Sequence, residues 1–214
     1  MKNRLKKKKI VLGITGGTAC GKTTVASMFK KSGASCIDAD SIYHRLISPG
    51  SAVYEKIVYA FGTGVLGKRS QIDRKKIAGI VFNNSQRLRR LCRITHPAII
   101  RRIKEEVSRL RRAKRKTIIA VDAPLLIEAG LTNMFDKMLV VKANRKNQLI
   151  RGARLRGLSR QQLLQRIKAQ TPQAEKIKLA DYVIDNNGTL EQTKKQVREI
   201  RRQMVNPKRE ERWI

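Results

Sequence analysis

Residues 16–23 read Gly16-Gly17-Thr18-Ala19-Cys20-Gly21-Lys22-Thr23, a G-x-x-x-x-G-K-[ST] loop that cradles phosphates. Such a loop needs a strand before it and a helix after it. Residues 10–15 (Ile10-Val11-Leu12-Gly13-Ile14-Thr15) are a short apolar run and read as a buried strand. Residues 23–31 are helix-compatible, with Val25, Ala26, Met28 and Phe29 as apolar positions. In that setting glycine lets successive N–H groups point inward, and the helix N-terminus adds partial positive charge. Lys22 reaches the β/γ-phosphates, and the Thr23 hydroxyl is placed to bind Mg²⁺. The predicted cradle is Gly16, Gly17, Thr18, Ala19, Cys20, Gly21, Lys22, Thr23 and Thr24.

The chain has 214 residues, a length for one domain with room for an inserted subdomain. Its 49 Lys and Arg against 16 Asp and Glu give a net charge of +33. Such charge fits either a solvated surface that favours anions or a nucleic-acid footprint. Aromatic residues are 4% and no RNA-recognition or zinc-finger pattern is present, which argues against nucleic acid as the main partner. Cys20, Cys36 and Cys92 form no C-x-x-C and no disulfide framework, and fit a reducing cytoplasm. Cys20 reads as a small residue in a small slot or as a reactive thiol. His44 and His96 are too isolated for a metal cluster. The basic run at residues 2–9 precedes an apolar stretch too short for a signal peptide, and no stretch is long enough to span a membrane.

Further strands are expected at residues 35–38, 117–122, 137–142 and 181–185, each a short apolar run ending near an acid or a lysine. Asp38 and Asp40 stand at the end of the second, where open α/β sheets bind ligands. Ser41 is expected to open a helix through Leu46, Ser51 to cap the next, and His96-Pro97 to break or kink a long one. Residues 41–116 therefore read as a helical insertion. The third strand ends in Asp122, a position for a Mg²⁺-associated carboxylate. Glu128 reads equally as a helix-surface residue or a ligand. After the fourth strand comes a stretch dense in arginine and without acids, from Arg145 to Lys168. It is an ordinary solvated helix or a lid that meets an anion. Residues 189–204 read as a closing amphipathic helix, and residues 208–214 as a loose tail.

These residues together resemble the dephospho-coenzyme A kinase family. The resemblance runs over nearly the whole chain. It is carried by the phosphate loop, Ile37-Asp38-Ala39-Asp40, Phe61-Gly62, Ile72-Asp73-Arg74, Val81-Phe82, His96-Pro97, Pro124-Leu125-Leu126 with Glu128, Gln148 with Arg151, Gln170, and Ala180-Asp181-Tyr182-Val183-Ile184 before Asn186-Asn187-Gly188. It implies an α/β P-loop NTPase fold, a three-layer sandwich on a five-stranded parallel sheet. The implied nucleotide-binding core is residues 1–40 and 117–214, with a lid at about 143–170 and a CoA-binding helical insertion at 41–116. It implies transfer of the ATP γ-phosphoryl group to the ribose 3′-hydroxyl of dephospho-CoA, with Mg²⁺, in the cytoplasm. Asp40 matches the family's general base, with Asp38 as the alternative. Lys22 and Arg151 would neutralise charge, and Thr23 and Asp122 would serve the metal. The chain departs from the family in two places. Leu155 stands where a second lid arginine is usual, flanked by Arg154 and Arg156, and Cys20 replaces a serine. The rival readings are a nucleoside or nucleotide kinase and a basic P-loop protein that binds nucleic acid.

Overall fold

The computed structural model describes residues 9–81, 84–113, 117–124 and 126–206. Phe82, Leu125, most of the N-terminal basic run and the charged tail lie outside them. Five parallel strands form one sheet: β1 (Ile10–Gly16), β2 (Ser35–Asp38), β3 (Ile118–Asp122), β4 (Lys137–Lys142) and β5 (Tyr182–Asp185), in the order β2-β3-β1-β4-β5. Near-continuous apolar runs are what a parallel sheet covered on both faces requires. The faces alternate along each strand. Leu12, Ile14, Ile118, Ala120, Leu139 and Val141 face one way, onto Val25 and Phe29 of α1 (Lys22–Lys31) and Val197, Ile200 and Met204 of α9 (Leu190–Val205). Val11, Ile37, Ile119, Val121 and Met138 face the other way, onto Ile42 of α2 (Ala39–Leu46) and Ile103 of α5 (Ser85–Arg112).

Among the described residues, the segment between β2 and β3 is built mainly of helices and serves two cores. Its ends, α2 and the C-terminal half of α5, cover the sheet. Its middle builds a separate small core, in which Val53, Tyr54 and Ile57 of α3 (Ala52–Phe61) meet Ile77 and Val81 of α4 (Arg74–Val81) and Leu88 and Leu91 of α5. After β4 come α6 (Arg145–Arg156), α7 (Arg160–Lys168) and α8 (Gln173–Lys178).

Three local expectations are revised. The second helix begins at Ala39 rather than Ser41, because the Asp38 carboxylate accepts from the N–H groups of Asp40 and Ser41 and so acts as its N-cap. Pro97 does not break α5, which runs from Ser85 to Arg112. Proline costs a helix one backbone hydrogen bond, but Pro97 lies on the exposed side, while Thr95 and Ile103 carry the buried stripe past it. The short helix α8 was not anticipated, since its sequence QAEKIK offers too little periodicity.

Candidate active site

The loop between β1 and α1 lies at the carboxyl edge of the sheet, where β1 is flanked by β3 and β4. Gly16 and Gly21 have φ of 151° and 95°, which side chains resist. A Cβ at Gly16 would also meet the backbone of Val141. Gly21 is the N-cap of α1 with no side-chain hydrogen bond, and no acid stands in the first turn. The orphan N–H groups of that turn are therefore available to an anion. Lys22 is buried, and its ammonium donates to the carbonyls of Gly16 (3.1 Å) and Gly17 (2.9 Å), across the mouth of the loop. Cys20 is fully buried, its sulfur 3.9 Å from the Lys22 ammonium, so it fills a slot in the loop.

Three carboxylates gather beside the loop. Strand register sets Asp38, Asp122 and Ile14 level on β2, β3 and β1. Asp122 is buried, with Lys22 and the Thr23 hydroxyl near enough to act on its carboxyl. Burial pushes its carboxyl up to about 6. Lys22 and Thr23 pull it down, while the charges of Asp38 and Asp40 add to the rise. Asp38 is committed to structure, accepting from two backbone N–H groups and from the Ser41 hydroxyl at 2.6 Å. Asp40, one position into α2, is exposed, and its carboxylate accepts no hydrogen bond from any described residue.

The arginine-dense stretch folds over the loop and is tied to it by side chains from far along the chain. Gln148 donates to the Thr18 carbonyl at 2.9 Å, and Gln170 accepts from the Thr18 N–H at 2.8 Å and from its hydroxyl at 3.1 Å. Arg151 donates to the carbonyls of Asn186 (2.8 Å) and Cys20 (3.5 Å). Asn186 donates to the same Cys20 carbonyl, and Thr193 donates to the Asn186 carboxamide oxygen. The structure thus brings together the loop, Asp122, Asp38, Asp40 and Arg151. Arg154 is exposed.

Sequence reasoning assigned no role to Gln148, Gln170 or Asn186 and missed Lys176 altogether. Lys176 has no exposed side-chain surface and pairs with Glu128 at 2.7 Å. Glu128 is therefore not a helix-surface residue. The Lys176 ammonium also reaches the Pro124 carbonyl at 3.4 Å, which accepts from the Thr15 hydroxyl as well. The Thr171 N–H donates to Glu128, and Thr171 follows Gln170. A ring of contacts thus leaves β1 at Thr15 and returns to the phosphate loop at Thr18. Glu128 Oε2 is buried without a hydrogen-bond partner among the described residues.

A buried pair is costly to break from one side, because the other charge is left without a partner. Lys176→Met or Glu128→Leu alone is expected to lower stability by about 3–5 kcal/mol. The double variant should recover much of that loss, since matched apolar groups replace the pair. Urea unfolding of the four proteins measures the cycle. Additive losses would show that the two side chains do not act together.

Comparison with known proteins decides among phosphate-loop proteins. Residues 10–192 match the sequence profile of the family described as dephospho-CoA kinase. The chain belongs to the dephospho-CoA kinase family. A dephospho-CoA kinase of Geobacillus kaustophilus is 43% identical over 194 residues, covering 91% of this chain and 96% of that protein. One from Aquifex aeolicus is 42% identical, covering 88% and 94%. Among solved structures, a dephospho-CoA kinase from Campylobacter jejuni superposes with a TM-score of 0.66 at 29% identity, covering 92% and 98%. A shikimate kinase from Acinetobacter baumannii, with a TM-score of 0.54 at 15% identity over 95% and 97%, shares the P-loop kinase fold. Among the described residues no helix is long and apolar enough to cross a membrane.

Proposed function

We propose that this chain phosphorylates the ribose 3′-hydroxyl of dephospho-CoA with ATP, and that the residues gathered at the carboxyl edge divide the work as follows. The ATP phosphates lie on the N–H groups of residues 16–24, with Lys22 turning from its loop carbonyls to the β/γ-phosphates. The acceptor rests against the small core that α3, α4 and the N-terminal half of α5 build within residues 41–116, its 3′-hydroxyl toward Asp40. The 3′-oxygen forms the new bond to the γ-phosphorus as the bond to the β,γ-bridging oxygen breaks. ADP leaves, and the hydroxyl proton passes to Asp40. A loose transition state of this kind asks chiefly for positioning and charge neutralisation. Arg151, held over Cys20 and Asn186, supplies positive charge from the lid side.

Magnesium fits the oxygen donors present. The Thr23 hydroxyl and Asp122 carboxylate lie near enough to interact, and a cation beside them would reverse the burial effect that pushes Asp122 up to about 6. When bound, the ion would neutralise charge on the β- and γ-phosphates. Among the described residues no group of three or more His, Cys, Asp or Glu forms a protein-only cage, in keeping with an ion that keeps most of its ligands as water and phosphate. Cys20, Cys36 and Cys92 are thiols rather than disulfide halves, the state that a reducing cytoplasm maintains.

The observation that carries this reading is the free carboxylate of Asp40 beside the phosphate loop, while Asp38 is occupied as a cap. The test is product identity. Incubation with ATP and dephospho-CoA should yield one new phosphate on the 3′-oxygen, seen by ³¹P NMR. A product phosphorylated elsewhere would refute the placement.

Asp122 gives a pH-dependent consequence. Its folded-state pKa is raised from 3.8 to about 6, so the fold favours the protonated carboxyl. Stability from that preference is full below the unfolded value and lost as pH rises through about 6. Asp122→Asn should therefore stabilise the ligand-free protein at pH 8 by up to about 2–3 kcal/mol. At pH 4 it should do little, and turnover should collapse at both. Urea unfolding of both proteins at the two pH values checks the sign. A variant less stable at pH 8 would contradict it.

A further inference from the structure

The charge of +33 exceeds anything the kinase site uses, and the outer face of α5 concentrates part of it. Arg90, Arg93, Arg101, Lys104 and Arg112 are all exposed, and none forms an ion pair with a described residue. At 3.6 residues per turn they fall within an arc of about 100°, and the stripe runs about 33 Å at 1.5 Å per residue. The nearby acids are engaged elsewhere: Glu105 and Glu106 hold Arg102, and Glu106 holds Arg109. Like charges at such spacing destabilise a helix unless an anion answers them.

The C-terminal half of this stripe lies away from the kinase site. The Lys9 ammonium, one residue before β1, donates to the carbonyls of Leu110 and Ala113. Arg111 reaches Asp136, just before β4, at 3.5 Å. The C-terminal end of α5 is therefore at the amino edge of the sheet, opposite the phosphate loop. The buried side of α5, at Ile103, Val107 and Leu110, faces the sheet, so Arg101, Lys104 and Arg112 face outward. Among the described residues the exposed large apolar side chains are Tyr59, Ile150, Leu155, Leu164, Leu179 and Leu190, none of them on α5. A face of cations without an apolar anchor suits a phosphodiester backbone better than a lipid surface.

We propose that the outer face of α5 binds nucleic acid through its phosphate backbone, without sequence preference and separately from the kinase site. Each phosphate neutralised releases counterions and steepens the salt dependence by about 0.9 per contact on duplex DNA. The probe is a short fluorescent DNA duplex, read by anisotropy across a salt series, with ATP and dephospho-CoA saturating. Wild type should bind with a steep negative log–log slope. The variant R101Q/K104Q/R112Q should lose between about two and three units of that slope, with kinase turnover unchanged as proof of fold. A control, K30Q/K31Q/K195Q, neutralises three exposed lysines on the opposite layer and should leave the slope near wild type. Equal losses in both variants would reduce the binding to general charge and overturn the assignment, as would an unchanged slope in the α5 variant. Capture of phosphatidylserine vesicles through the same three residues, with no binding of the duplex, would overturn it in favour of a membrane. Loss of kinase activity on dephospho-CoA in wild type would refute the kinase reading and leave this one standing.

Discussion

Asp40→Asn is expected to lower kcat by about 10²–10⁴, the usual contribution of a positioned general base. ATP affinity should stay within about twofold, because the Asp40 carboxylate makes no hydrogen bond to the described residues of the phosphate loop that would be lost. Asp38 supplies the contrast. Its carboxylate caps α2 through two N–H groups and the Ser41 hydroxyl, so Asp38→Ala should lower stability by about 1 kcal/mol. Any loss of turnover there would follow from a displaced Asp40. Single-turnover phosphoryl transfer and titration with a fluorescent ATP analogue separate chemistry from binding. Near-normal turnover in Asp40→Asn would remove it from the reaction.

The second large effect is expected at Arg151. Its guanidinium spans two carbonyls, one from the loop and one from the end of β5, and this fork holds it beside the loop on which the proposed transfer takes place. Arg151→Ala should lower kcat by about 10³ or more, the scale of an arginine brought to a transferring phosphoryl group. Arg151→Lys should restore little, since an ammonium cannot span both carbonyls and still reach a phosphate. Arg154→Ala, removing an exposed side chain three residues on, serves as the comparison. Equal losses at 151 and 154 would mean that lid charge in general, rather than this geometry, is what matters.

The residues that carried these assignments differ in how readable they were. The phosphate loop, Asp122 and all five strands follow local patterns: a glycine spacing, and apolar runs that end at the carboxyl edge. The two-layer cover of the sheet follows too, since Val25 and Phe29 recur at helical spacing. The start of α2 was misplaced because one carboxylate, Asp38, serves as strand end and helix cap at once. Pro97 was over-weighted because tertiary burial of Thr95 and Ile103 outweighs a single missing hydrogen bond. The ties that seat the lid were illegible. Gln148 and Gln170 meet Thr18 across 130 and 152 residues, and Asn186 meets Cys20 across 166. Lys176 sits among surface lysines in sequence, and nothing local marks it as the one that the fold buries against Glu128.

A site of this kind should be selective for one acceptor. That selectivity is tested most directly by ADP release with ATP and magnesium across a panel of dephospho-CoA, nucleosides, nucleoside monophosphates and shikimate, with Asp40→Asn in parallel. Rapid turnover is expected on dephospho-CoA, with background rates on the others and loss of the dephospho-CoA rate in the variant. Turnover on a nucleoside or nucleotide that exceeds that on dephospho-CoA would contradict it.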